Sequence, residues 1–219
     1  MKNIYVMIML FIAPVSLYGA ELPDSLDDFT SSGLKGRFMG IHDPGYIRIK
    51  LETGAVIDTT YSGIDFDTLY EWEQNANKLG VYRVMTIRYS NAEGVMVEDL
   101  KSRRRFSLNG VIETHPISIA VDECERKYST TMGIQHCKRL ELEAWDAELN
   151  RAYKYLGGRS NEKLRAAQLA WIKYRDAQIE YLRAAYGKRE GTIWRLVYMD
   201  HVVDITRKQA EQLNSINGW

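Results

Sequence analysis

The chain has 219 residues, with 29 Lys and Arg against 29 Asp and Glu, and 45% hydrophobic residues. That length accommodates one large domain or two small ones. The balanced charge argues against nucleic acid as the main partner.

The N-terminus reads "MKNIYVMIMLFIAPVSLYGAEL". Lys2 supplies a short positive region, and Ile4 to Pro14 form an apolar run too short to span a bilayer. Residues 1–20 are expected to be a signal peptide cut after Ala20, with Tyr18 a poor residue at the minus-three position; an uncleaved anchor is the competing reading. No cysteine lies near the cut, which argues against a lipoprotein. No later segment is apolar enough to cross a membrane, so the expected product is soluble and periplasmic.

Residues 21–113 read as a β-rich domain with one helix. "LKGRFMGI", "YIRIKLE", "AVIDTTY", "VYRVMTIRYS", "GVMVEDL" and "RRFSLNG" are short, rich in β-branched and aromatic residues, and partly alternating. "HDPG", "ETG" and "NAEG" carry the glycine that turns favour. "DFDTLYEWEQNANKLG" predicts a helix with Asp67 as N-cap and Gly80 as its stop, burying Leu69, Trp72 and Ala76. These signals predict a small, mostly antiparallel domain of five or six strands. They include no nucleotide loop, metal motif or nucleophile elbow. The basic run "KSRRRF", Lys101 to Phe106, is either a solvated segment between strands or a surface for an acidic partner.

From residue 114 to 219 the period becomes helical, so the whole chain is α+β. Ser118 to about Tyr128 predicts a short helix, broken at "STTMG". A second helix starts around Ile134 and stops at "LGG", Leu156 to Gly158. "RSNEKL" opens a third, capped by Ser160 or Asn161 and ending at Gly187; a fourth runs from near Thr192 to about Ile216. Short connections between long helices predict a bundle with antiparallel neighbours.

Cys124 and Cys137 are the two cysteines of the chain. A disulfide is their default state in an exported protein, and closing that loop contributes roughly 3 kcal/mol in the chain-entropy model. Zinc is the alternative, since His136 adjoins Cys137, but no second ligand pair has useful spacing.

"AQLAWIKYRDAQ", Ala167 to Gln178, poses a sharper choice. Gln168, Trp171, Arg175 and Gln178 share one helix face, which is either a working surface or a core with polar braces. As a brace, Arg175 is expected to reach across to Asp146 or Asn150, and breaking such a pair costs roughly 3–5 kcal/mol if it is fully buried. A catalytic reading would pair Asp146 with Asp176 or Glu180, but His42, His115, His136 and His201 fit no triad or metal pattern.

"CERKYSTTMGIQHC", "WDAELNRAYKYL", "LRAAQLAWIKYRDA" and "DITRKQAEQL" together resemble the LprI-like lysozyme inhibitor domain of exported bacterial proteins. Asp146, Leu149, Asn150 and Tyr153 match its second element; Leu164, Gln168, Trp171, Arg175 and Asp176 match its third. Thr206 and Arg207 match the last only approximately. Members commonly carry two further cysteines where this chain has Ile179 and a residue near His201, a paired loss that leaves Cys124 to bond Cys137. The resemblance implies a non-enzymatic binding protein with no cofactor or metal, whose partner is a lysozyme. An immunity protein against a periplasmic toxin, or an envelope assembly factor, is the alternative. The first loops to consider for binding are Thr130, Thr131 and Met132 beside the cysteine pair, and Lys188 and Arg189 between the last helices.

Overall fold

In a computed structural model the structure describes residues 22–30, 33–43, 45–110, 112 and 115–216. The expected signal peptide, residues 1–20, and the expected boundary at 113 and 114 lie outside the described residues.

Six strands follow a one-turn helix, α1 (Asp27–Thr30): β1 (Leu34–Asp43), β2 (Tyr46–Leu51), β3 (Val56–Ser62), β4 (Val84–Ser90), β5 (Gly94–Asp99) and β6 (Arg105–Asn109). Side chains alternate across each strand, so every second residue points inward. Phe38, Ile47, Ile49, Ile57, Met85, Ile87, Val97 and Phe106 are buried on that inner face. Every pairing is antiparallel, and the strand order β1-β2-β3-β6-β5-β4 closes on itself as a barrel. Closure leaves no unpaired edge. Beyond the expected strand count, the two three-stranded meanders seal each other, β1 against β4 and β3 against β6.

Helix α2 (Phe66–Leu79) lies between β3 and β4 and buries Leu69, Trp72 and Ala76, the expected face. Its cap is Asp65 rather than Asp67: Asp65 Oδ1 accepts from the Thr68 N–H at 2.7 Å, while Asp67 sits in the first turn. A carboxylate is favoured in either place, by hydrogen bonding in one and by the helix dipole in the other. Gly80 ends the helix at φ 65°, a left-handed conformation that costs glycine nothing. Trp72 packs edge-to-face on Phe38 at 5.8 Å, and Glu73 Oε1 accepts from the Ile41 N–H at 3.0 Å, where β1 changes register.

Four long helices follow: α3 (Pro116–Lys127), α4 (Thr131–Tyr155), α5 (Glu162–Tyr186) and α6 (Ile193–Ile216). Helix α3 begins before Ser118, because His115 Nδ1 accepts from the Ile117 N–H and Pro116 suits the first turn. Helix α4 begins before Ile134, because Thr130 accepts from the Gly133 N–H at 3.1 Å. Cys124 and Cys137 form a disulfide tying α3 to α4, with Cα atoms 5.9 Å apart.

Antiparallel packing holds for α5 and α6, but α4 takes α6 as its main partner and the two run parallel. Lys138 near the start of α4 meets Asp200 near the start of α6 at 3.2 Å, and Glu148 further along bonds Asn214. Short loops set the direction of successive helices; they do not decide which pair shares a core. Helix α5 is peripheral, burying Gln168, Arg175, Ile179 and Leu182. One apolar cluster runs unbroken from Tyr89, Val95 and Val97 in the barrel through Ile112 and Ile117 to Trp145, Leu149, Val203, Ala210 and Leu213.

Candidate functional site

The Gln-Trp-Arg face of α5 turns inward. Gln168 is buried and accepts from Gln209 Nε2 of α6 at 3.2 Å. The Arg175 guanidinium, also buried, lies 5.3 Å over the Trp171 ring. Its hydrogen bonds go to Asp176 Oδ1, from Nε at 3.1 Å and from Nη2 at 2.9 Å. The expected bond to Asp146 or Asn150 is not made. Asn150 Nδ2 instead donates to Asp146, to its carbonyl at 2.8 Å and its carboxylate at 3.0 Å. The surrounding protein raises the Asp146 carboxyl above its ordinary value, and the nearby charge of Arg175 opposes that shift.

Of the remaining motif residues, Leu149 and Thr206 are buried. Thr206 Oγ1 donates back to the Val202 carbonyl at 3.4 Å. Arg207 pairs with Asp204 at 2.5 Å on its own helix. Tyr153 packs against the main apolar cluster. These polar groups pair with neighbours on their own helix or the next, so none converges with the others on an open cleft.

The basic run is likewise occupied. Arg103 pairs with Glu98 at 2.8 Å, Arg104 with Asp65 at 3.4 Å, and Arg105 with Glu93 at 3.0 Å, all within the barrel half. Beside α2 lies a groove of about 500 Å³, lined by Leu79, Val81, Tyr82, Val84 and Leu100 with Asn75, Arg83 and Lys101. It contains no carboxylate, histidine or nucleophile. Among the described residues no group of acids, histidines and cysteines could hold a metal ion.

Connectivity gathers the two loops at one end of the helices. Thr130 caps α4, whose first residues are Thr131 and the exposed Met132; the turn before α6 carries Lys188 and Arg189. Both helices rise from that end, cross-linked by Lys138, which contacts Glu125 of α3 at 3.1 Å, Glu141 at 3.0 Å and Asp200 at 3.2 Å. Burial alone would lower the Lys138 pKa, but Glu141 and Glu125 raise it above its ordinary value. The strands meet α4 from its middle onward, where the Tyr89 hydroxyl donates to the Ala144 carbonyl at 2.9 Å and Arg151 donates to the Asn91 carbonyl at 3.2 Å. The segment before β1 reaches the near end, with the Pro23 carbonyl 2.6 Å from His136 Nε2 and Phe29 6.4 Å from Tyr128. Thr131 and Ala144 are about 20 Å apart along the axis at 1.5 Å per residue.

Around the α5–α6 turn stands an aromatic stack that composition and periodicity did not single out. Tyr186 stacks on Trp194 at 6.0 Å and on His201 at 5.6 Å, with its hydroxyl 3.0 Å from His201 Nε2. The Arg189 guanidinium lies 4.3 Å over the Trp194 ring and 5.1 Å from that of Tyr186. Arg189 Nε donates to the Ala185 carbonyl at 3.2 Å. The signal was present, an aromatic on each side of a Gly-containing turn, but only the turn brings the rings into register.

A closed barrel is joined to disulfide-linked helices whose motif polar groups bond mostly within their own helices, Gln168 to Gln209 excepted. The chain belongs to the lysozyme inhibitor LprI family, whose model matches residues 123–213. That is a family of inhibitors, not of enzymes. An uncharacterized protein of Rhizobium meliloti (strain 1021) is 31% identical over 110 residues, spanning 42% of this chain and 76% of the relative. No solved structure matches the chain.

Proposed function

We propose that this protein is exported and inhibits a cell-wall-degrading enzyme of the lysozyme class by binding it. The observation that carries the reading is the family match, which falls on the disulfide-linked helices and leaves the barrel outside it. Residues 1–20 act as the signal peptide, and the mature protein works in the periplasm. A buried disulfide accords with an oxidising compartment, and no helix among the described residues is long and apolar enough to cross a membrane. In this reading residues 21–113 form a barrel domain and 114–219 the inhibitory domain. The strands brace α4 from its middle onward, and Thr130, Thr131, Met132, Lys188 and Arg189, at the end where α4 and α6 begin, face the enzyme.

Purified protein lacking residues 1–20 is expected to slow peptidoglycan lysis by a lysozyme at near-stoichiometric ratio. No slowing across several lysozyme types overturns the reading.

A further inference from the structure

Arg189 is held by aromatic rings rather than by a carboxylate, as Lys127 is over Phe29 and Tyr128. Arg139, Arg183 and Arg207 pair with acids on their own helices. Arg189 has no ion-pair partner among the described residues, although Glu190 is its chain neighbour. Its plane rests on Trp194 and Tyr186, its Nε is committed to the Ala185 carbonyl, and Tyr186 is fixed from behind by His201. A free arginine side chain loses rotamer freedom on binding; one already laid on two rings loses less. Its remaining N–H groups form the fork that matches a carboxylate in two parallel hydrogen bonds. Lys188 and Arg195 beside it add positive charge at the same tip without a paired acid among the described residues.

We infer that Arg189, on its Trp194–Tyr186–His201 pedestal, is a preformed receptor for a carboxylate in the cleft of the inhibited enzyme; this rests on the inhibitory reading above. Glycosidases of the lysozyme class carry paired Asp or Glu residues flanking the scissile bond, so their cleft offers carboxylates to a cation. Charge complementarity thus selects the occupant of this tip. Arg189 lies in the turn between α5 and α6, and the enzyme's acid completes its coordination. Trp194, Tyr186 and His201 are positioning residues, acting through Arg189.

The test is a double-mutant cycle between the full processed protein and a chicken-type lysozyme, measuring dissociation constants directly rather than lysis. Arg189→Ala and Arg189→Lys are each combined with wild-type lysozyme and with a double variant whose catalytic Glu is Gln and catalytic Asp is Asn. Arg189→Ala is expected to weaken binding of wild-type lysozyme about 30-fold or more. It should have a much smaller effect on the double variant, and Arg189→Lys should recover little because lysine lacks the planar fork. Lys188→Ala serves as the control for diffuse charge, and melting temperature shows that each variant folds. Loss of affinity that is the same for both lysozymes, or no loss at all, overturns the carboxylate receptor while leaving inhibition intact. Absence of any binding by the unmutated protein overturns both.

Discussion

His115 shows what burial does to one side chain. It caps α3 through Nδ1, packs 4.7 Å from the Trp145 ring centroid and 6.0 Å from that of Tyr89, and is cut off from solvent. Burial, with a smaller push from Arg151, lowers its pKa to about 3. The unfolded chain protonates this ring near pH 6.5 and the folded chain does not. Between those values the unfolded state binds the extra proton, so stability falls as pH falls, by about 1.4 kcal/mol per pH unit from this residue alone. Replacing it with Asn keeps a capping group. The gap in unfolding free energy between wild type and His115→Asn should therefore narrow from pH 7 to pH 4; a constant gap in denaturant titrations would remove His115 from the acid response. Glu148 and Glu211, whose carboxyls burial raises, pull the opposite way, and the difference between variants cancels their share.

Arg175 makes the second case at this scale. Its guanidinium is buried but Asp176 is half exposed, so water screens one side of the pair. Arg175→Ala should cost about 1–3 kcal/mol and Lys173→Ala close to nothing, compared by melting temperature, with partner binding retained. Equal melting temperatures with lost binding would make that face a contact surface. The motif was legible, yet its partner was not. Adjacent residues on a helix point about 100° apart, but a long arginine side chain can fold back and close that angle, which Cα geometry alone does not reveal. The His115 cap escaped notice for a different reason, since histidine is not among the residues that usually cap helices.

Among elements, the six strands and four long helices follow from alternation, helical stripes and turn residues. Their mutual arrangement does not. Pairings of β1 with β4 and of β3 with β6 join segments far apart in sequence, and nothing local in "VIDTTYS" or "RFSLN" states that they meet. The α3–α4 corner is the better-defined joint. The disulfide spans a sequence separation of 13, and a Cβ on Gly133 would come within 2.3 Å of the Tyr128 carbonyl oxygen, so α4 leaves the turn in close contact with the end of α3. Replacing both cysteines with alanine should lower unfolding free energy by about 3 kcal/mol, measured in denaturant under non-reducing conditions. A loss below about 1 kcal/mol would mean that helix packing, not the bond, sets this corner.

At the scale of the molecule, barrel and helices behave as one body. The apolar cluster crosses between them without a break, and Arg151 bridges the buried Glu148 to the turn after β4, fitting over Gly94, where a Cβ would meet its guanidinium at 2.5 Å. Unfolding followed by far-ultraviolet circular dichroism, dominated by the helices, should coincide with that followed by tryptophan fluorescence, which includes Trp72 in the barrel. Arg151→Ala should shift both curves down together, by about 3 kcal/mol, because Glu148 is left buried without its partner. Separate transitions in the unmutated protein would argue for two independently stable halves.

The parallel docking of α4 on α6 carries a consequence for how the chain matures. The helix that completes the core is synthesised about sixty residues after the one it covers. Until then the apolar flank of α4 has no lasting cover, because α5, the helix in between, packs chiefly on α6. Assembly of this half must therefore wait until α6 is made, and any event that removes the last two turns of α6 would expose Leu149 and its neighbours as a sticky surface.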